Sequence, residues 1–152
     1  MKKLKVLALG IIFCLSLTAN VFASDYISNN YEVQYIDIGD MSKSARYILI
    51  KQIGIGLTIE NRVAYIYAEC TTYENSDITV VAELQMYDNG WDTIKTFKNI
   101  EDNSKISNID TSYAVARGYD YRVKVTASVK QGSLSDSTTK YGKIQECYDL
   151  NN

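Results

Sequence analysis

From Ala45 onward, apolar and polar residues alternate with a period of two, and short turn clusters interrupt the alternation. That period is the signature of half-buried β-strands. Tyr47-Ile48-Leu49-Ile50 opens the first predicted strand, Gly54 and Gly56 suit a bend or bulge, and residues 57–60 resume it before a turn at Asn61-Arg62. Residues 63–72 form the next, with Ala64, Ile66, Ala68 and Cys70 on one face and Tyr65, Tyr67 and Glu69 on the other. Residues 78–87 direct Ile78, Val80, Ala82, Leu84 and Met86 inward. Asn89-Gly90 predicts a type I′ hairpin turn, because both residues accept positive φ, and residues 91–97 then return as a strand. Residues 101–104 read as a polar loop before a strand over 106–115. Tyr121, Val123, Val125, Ala127 and Val129 alternate with Arg122, Lys124, Thr126 and Ser128, the clearest two-faced strand in the chain. A turn at Gln131-Gly132-Ser133 leads to a last strand through residues 140–145. No segment keeps helical spacing. About seven short strands at this spacing predict an all-β fold, a single β-sandwich.

The first 23 residues follow another pattern. Met1-Lys2-Lys3-Leu4-Lys5 is basic, residues 6–21 are almost unbroken apolar, and Val21-Phe22-Ala23 supplies small residues where a signal peptidase reads. This order predicts a secretory signal peptide over residues 1–23 and a secreted, extracellular protein. A membrane anchor would need about 20 apolar residues and no cleavage site. Cys14 is a poor lipid acceptor, since Ile11-Ile12-Phe13 precedes it where small residues are expected. Residues 24–44 read as a flexible polar leader, broken only by a short strand candidate at 31–38. The β-domain is expected over 45–146, with a polar tail over 147–152.

Loss of Lys2, Lys3 and Lys5 with the leader peptide takes the formal net charge from −2 to −5. An acidic chain without a basic stripe argues against nucleic acid, whose phosphates require clustered Lys and Arg. It also argues against capture by anionic membranes once the signal is removed. Cys70 and Cys147 remain in a compartment that permits a disulfide, which would contribute roughly 4–5 kcal/mol across so long a loop. The alternative is a small apolar residue within a strand and a separate thiol near the C-terminus.

Histidine is absent from the sequence. That removes the usual general base, the commonest zinc ligand and every Ser-His or Cys-His pair. Gly54-Ile55-Gly56 lacks the third glycine and the strand–helix context of a nucleotide loop. Asp37/Asp40, Glu74/Asp77 and Glu101/Asp102 have no calcium-loop pattern and read as solvated charges. No cofactor, no metal and no enzymatic activity are therefore expected. Tyr65 and Tyr67 share one strand face, which suits stacking of sugars or docking of protein if that face is outward, and cross-strand packing otherwise. Trp91, beside the hairpin turn, divides in the same way. The expectation is a non-catalytic protein that works by surface contact with a protein or a cell-envelope component. The alternative is a glycan- or cell-wall-binding module using Tyr65, Tyr67 and Trp91.

Residues 116–127, Ala-Arg-Gly-Tyr-Asp-Tyr-Arg-Val-Lys-Val-Thr-Ala, resemble the E–F corner and F strand of fibronectin type III and related immunoglobulin-like sandwiches. The resemblance implies that Tyr121 is a tyrosine corner, returning its hydroxyl to the preceding backbone while its ring packs. The stretch over 47–144 also resembles an uncharacterised family of small secreted proteins of clostridia and other low-GC Gram-positive bacteria, a domain of unknown function. The Cys70 strand, Leu84-Gln85, Asn89-Gly90-Trp91 and Tyr121-Arg122-Val123 carry that likeness, and it implies no particular activity.

Overall fold

A computed structural model describes residues 32–38 and 48–148. The predicted signal peptide, Cys14, Tyr47, Asp40, most of the leader and residues 149–152 lie outside the described residues. Seven strands make up the fold, and there is no helix among the described residues. They are β1 (Gln34–Asp37), β2 (Ile50–Glu60), β3 (Val63–Tyr87), β4 (Trp91–Ala114), β5 (Tyr119–Gln131), β6 (Leu134–Tyr141) and β7 (Gln145–Cys147). All pairings are antiparallel, within one sheet of order β1-β2-β3-β5-β6, with β4 on the other edge of β3 and β7 on β5.

The strand faces follow the alternation in the sequence, but two expected breaks are absent. Residues 63–72 and 78–87 belong to the single 25-residue strand β3, and residues 91–97 and 106–114 to the 24-residue strand β4. The polar run at 101–104, expected as a loop, is the corner of β4. Pairing survives this corner through bulges: the β3–β4 register shifts between Thr71 and Ser76 and again between Ser76 and Ile78. Backbone groups that leave the ladder there are caught by side chains. Thr72 Oγ1 and Ser76 Oγ donate to the Glu74 carbonyl at 2.8 and 3.0 Å, and Asn103 N donates to Asp77 Oδ1 at 3.1 Å. Asn103 adopts a positive φ of 50° at the bend. Bulges sharpen twist and bend a strand, so a polar segment that reads as a break instead turns the sheet without ending it.

The bend folds the long β3–β4 hairpin into two arms, and the sheet curls into half a barrel. One edge of β3 carries β2 along its first arm and β5 along its second. Inside the curl lie Ile53, Ile55, Ala64, Ile66, Ala68 and Cys70 from one arm, and Ile78, Val80, Ala82, Leu84, Val123 and Val125 from the other. Each fully buried aliphatic side chain contributes about 1.5–3 kcal/mol. The arms are also fastened by polar contacts. Asp136 Oδ2 on β6 accepts the N–H groups of Ile48 and Leu49 at 2.8 and 2.7 Å, just ahead of β2. At Gly142, a Cβ would sit 2.8 Å from Ile55 Cγ2, so only glycine allows the β6–β7 link to approach β2 this closely.

Two connections differ from their expected form. The Asn89-Gly90 hairpin is a three-residue link between the Tyr87–Trp91 pair, and Asn89 alone has positive φ, 57°. The two-residue I′ geometry appears instead at Asn61-Arg62, with φ of 49° and 65°, between paired Glu60 and Val63. Tyr121 is fully buried and donates its hydroxyl to the Ala116 carbonyl at 2.8 Å, five residues upstream. Gln34–Asp37, inside the expected leader, is a strand of the sheet.

Candidate functional site

The outer face of the second arm carries a row of aromatic rings around one cation. The hairpin places Tyr87 opposite Trp91, with ring centroids 5.3 Å apart and tilted by 59°. Pairing of β3 with β5 sets Arg122 beside Gln85, and pairing of β5 with β6 sets Tyr141 beside Lys124. The Arg122 guanidinium carbon then lies 4.1 Å from the Trp91 ring centroid and 4.4 Å from that of Tyr141. A planar cation between two π faces is held by the ring quadrupoles as well as by contact.

A hydrogen-bond chain fixes the stack from below. Arg122 Nε donates to Gln85 Oε1 at 2.8 Å, and Gln85 Nε2 donates to Thr93 Oγ1 at 3.2 Å. Thr93 Oγ1 donates in turn to Glu83 Oε1 at 3.2 Å, and Glu83 Oε2 pairs with Lys124 Nζ at 2.6 Å. The bond to Glu83 holds the Lys124 ammonium above its ordinary pKa, partly offset by burial. Lys124 is thereby compensated, while no ion pair reaches Arg122 among the described residues. Tyr87 and Tyr141 stay open to solvent, 47 % and 49 % exposed.

Tyr65 and Tyr67 lie on the outer face of the first arm, both half-buried. The structure does not bring them to Trp91, which sits beyond the bend at the far end of β3. Tyr67 donates its hydroxyl to Glu69 Oε2, and Glu69 is only 8 % exposed. Burial first, then the bond to and the charge of Glu69, push the Tyr67 phenol well above its ordinary pKa. Tyr35 of β1 reaches over this patch: a Cβ on Gly54 would meet its ring at 3.0 Å. The glycine thus makes room for a ring.

Cys70 and Cys147 are both free and buried, on β3 and β7 respectively, and form no disulfide. Burial, with the Glu69 charge second, pushes the Cys70 thiol up to about 12. A cleft of about 400 Å³ opens between the Asn61-Arg62 turn and β7, with Glu60, Arg62, Arg117 and Glu146 on its rim. No group of three or more Cys, Asp or Glu side chains is arranged to hold a metal ion among the described residues.

Of the ligand-contact candidates named from sequence, Trp91 belongs to the stack, while Tyr65 and Tyr67 lie apart on the first arm, with Tyr67 bonded to Glu69. Arg122 and Gln85 enter the sequence reading only as motif residues, and neither they nor Tyr87 and Tyr141 are among its contact candidates. The signal that could have found them is the outward position of Arg122 in the most regular strand, within reach of aromatic residues on its neighbours. No protein-family model matches the chain, and no curated protein or solved structure matches it.

Proposed function

We propose that this chain is a secreted, non-catalytic protein of immunoglobulin-like or fibronectin type III-like sandwich character. In this reading it binds a protein or cell-envelope partner through the outer face of its second arm. The observation that carries the reading is Arg122 stacked between Trp91 and Tyr141, with Tyr87 alongside. Trp, Tyr and Arg are the residues enriched at binding hot spots, because they combine large contact area with a polar handle. The Tyr121–Ala116 bond supports the sandwich character, and the charged, apolar and small segments of residues 1–23 support export. The absence of histidine from the sequence supports a role without catalysis.

The second reading is a glycan- or cell-wall-binding module. It rests on Tyr35, 52 % exposed, beside Tyr65 and Tyr67 on the first arm. Immobilised protein would be exposed to purified cell wall, a glycan panel and the secreted proteins of the producing organism. The first reading expects a protein partner retained by wild type and by Tyr35→Ala/Tyr65→Ala, and lost with Trp91→Ala/Tyr141→Ala. Retention of cell wall or glycan that depends on Tyr35 and Tyr65 would overturn it in favour of the second.

A further inference from the structure

The Arg122 guanidinium carbon lies 4.1 Å from the Trp91 ring centroid and 4.4 Å from that of Tyr141, and Nε is committed to Gln85. The two Nη groups have no partner among the described residues. Ordering a long side chain usually costs entropy at the moment of binding. Here the stack and the Gln85–Thr93–Glu83 chain have already fixed the fork. Ring faces engaged with the guanidinium are withheld from a sugar, whereas ring edges and N–H groups are electropositive and suit an acceptor.

We propose that the Nη edge of Arg122 is a preorganised seat for a carboxylate on a protein partner, an aspartate or glutamate side chain received in bidentate fashion between Tyr87, Trp91 and Tyr141. The proposal rests on the second-arm binding face and adds the chemistry that face selects. A planar guanidinium matches a planar carboxylate through two parallel hydrogen bonds. Charge complementarity favours a lone carboxylate over a polyanion. Lys124 is neutralised by Glu83, Asp120 on the same strand accepts from Tyr148, and the chain as a whole is acidic, with a formal net charge of −2. An extended anionic polymer would be repelled by that field, whereas a single acidic side chain meets only the local cation.

Trp91 is the sole tryptophan of the chain, so its emission reports the stack directly. The mature protein would be titrated at constant ionic strength with acetyl-Gly-Glu-Gly-amide, its Gln counterpart and inorganic phosphate. The expected result is a saturable change in Trp91 emission with the Glu peptide, at least tenfold weaker with the Gln peptide and with phosphate, and lost in Arg122→Lys. A response to phosphate equal to that with the Glu peptide would overturn carboxylate selection, and no response to the Glu peptide would overturn the seat itself. Tyr141→Leu, which removes one wall and keeps the charge, should weaken the response several-fold. It serves as the deciding variant if Arg122→Lys does not fold. Partner capture that needs Trp91 and Tyr141 but survives Arg122→Lys would leave the binding face standing and refute this inference alone.

Discussion

The two arms of the sheet present similar raw material on their outer faces and use it in opposite ways. On the first arm Tyr35 and Tyr67 stand beside the carboxylate-bearing Glu69, and on the second Trp91, with Tyr87 against it, and Tyr141 flank a guanidinium. Glu69 is nearly buried and is bonded by Tyr67, while the ring of β1's Tyr35 lies across Gly54 beside it. Arg122 keeps both Nη groups unspent in a fixed orientation. Aromatic abundance therefore does not distinguish the face proposed for binding from the packed one. What distinguishes them is whether the central charge is satisfied from within the chain.

The largest effect is expected where the arms are joined. Asp136→Ala removes the acceptor for both Ile48 and Leu49 N–H groups and leaves the entry to β2 without its anchor on β6. Bonds to a charged acceptor contribute about 1.5–3 kcal/mol each, so with partial relief by water a loss of about 3 kcal/mol is expected in urea unfolding. A loss below about 1 kcal/mol would mean that apolar packing alone holds the arms together.

The arms should next separate by their response to alkali. The Cys70 thiol is raised from 9.0 to about 12 in the folded chain, so the unfolded chain gives up its proton first as pH rises. Stability from this group is fully present below about pH 9 and is lost as pH climbs toward 12. The slope for one proton is about 1.4 kcal/mol per pH unit. Unfolding measured at pH 8, 9, 10 and 11 should show this loss, and Cys70→Ala should flatten it by about one proton's worth. An unchanged slope in that variant would remove Cys70 from the first arm's alkaline sensitivity. The raised Lys124 ammonium on the second arm acts in the same direction only above its own, higher, ordinary value of 10.5.

Tyr121→Phe keeps the ring and strips one hydroxyl, leaving the Ala116 carbonyl without that donor. A cost of about 1–2 kcal/mol is expected, with outer-face chemistry on both arms untouched. Calorimetry of the two proteins checks it, and identical transition temperatures would count against the corner as a source of stability.

The division between the arms was only half legible in the residues. Alternation identified the buried faces, because Ala64-Ile66-Ala68-Cys70 and Tyr121–Val129 repeat at the strand period whatever the fold around them. It also set Tyr65 and Tyr67 opposite that core. The bend was not legible, since the polar residues of 72–77 and 101–104 read as interruptions, whereas in the fold their side chains bond the displaced backbone and carry the strands onward. The stack was hidden for another reason. Gln85, Trp91, Arg122 and Tyr141 come from four strands, and only the register of β3 against β4 and β5, and of β5 against β6, makes them neighbours. The cover on the first arm comes from β1, inside the short strand candidate at 31–38, but only its register against β2 lays Tyr35 across Gly54.

The smallest effect concerns the turn that begins the first arm of β3, and it is a gain. Asn61 and Arg62 both occupy the left-handed region, with φ of 49° and 65°. Asparagine tolerates that region, but an arginine there brings Cβ toward the following carbonyl oxygen, at roughly 1–2 kcal/mol. Glycine removes the clash yet loses more freedom on folding, by about 0.5–1 kcal/mol. Arg62→Gly should therefore raise stability by about 0.5–1 kcal/mol in urea unfolding. The Arg62 carbonyl would still accept from Val115 N, now at 2.9 Å, because that bond is made by the backbone. The hairpin at Asn89 supplies the control: Gly90 there does not use positive φ, so Gly90→Ala should not show the converse loss. If Arg62→Gly destabilises instead, the Arg62 side chain contributes more to the Asn61-Arg62 turn than its backbone strain takes away.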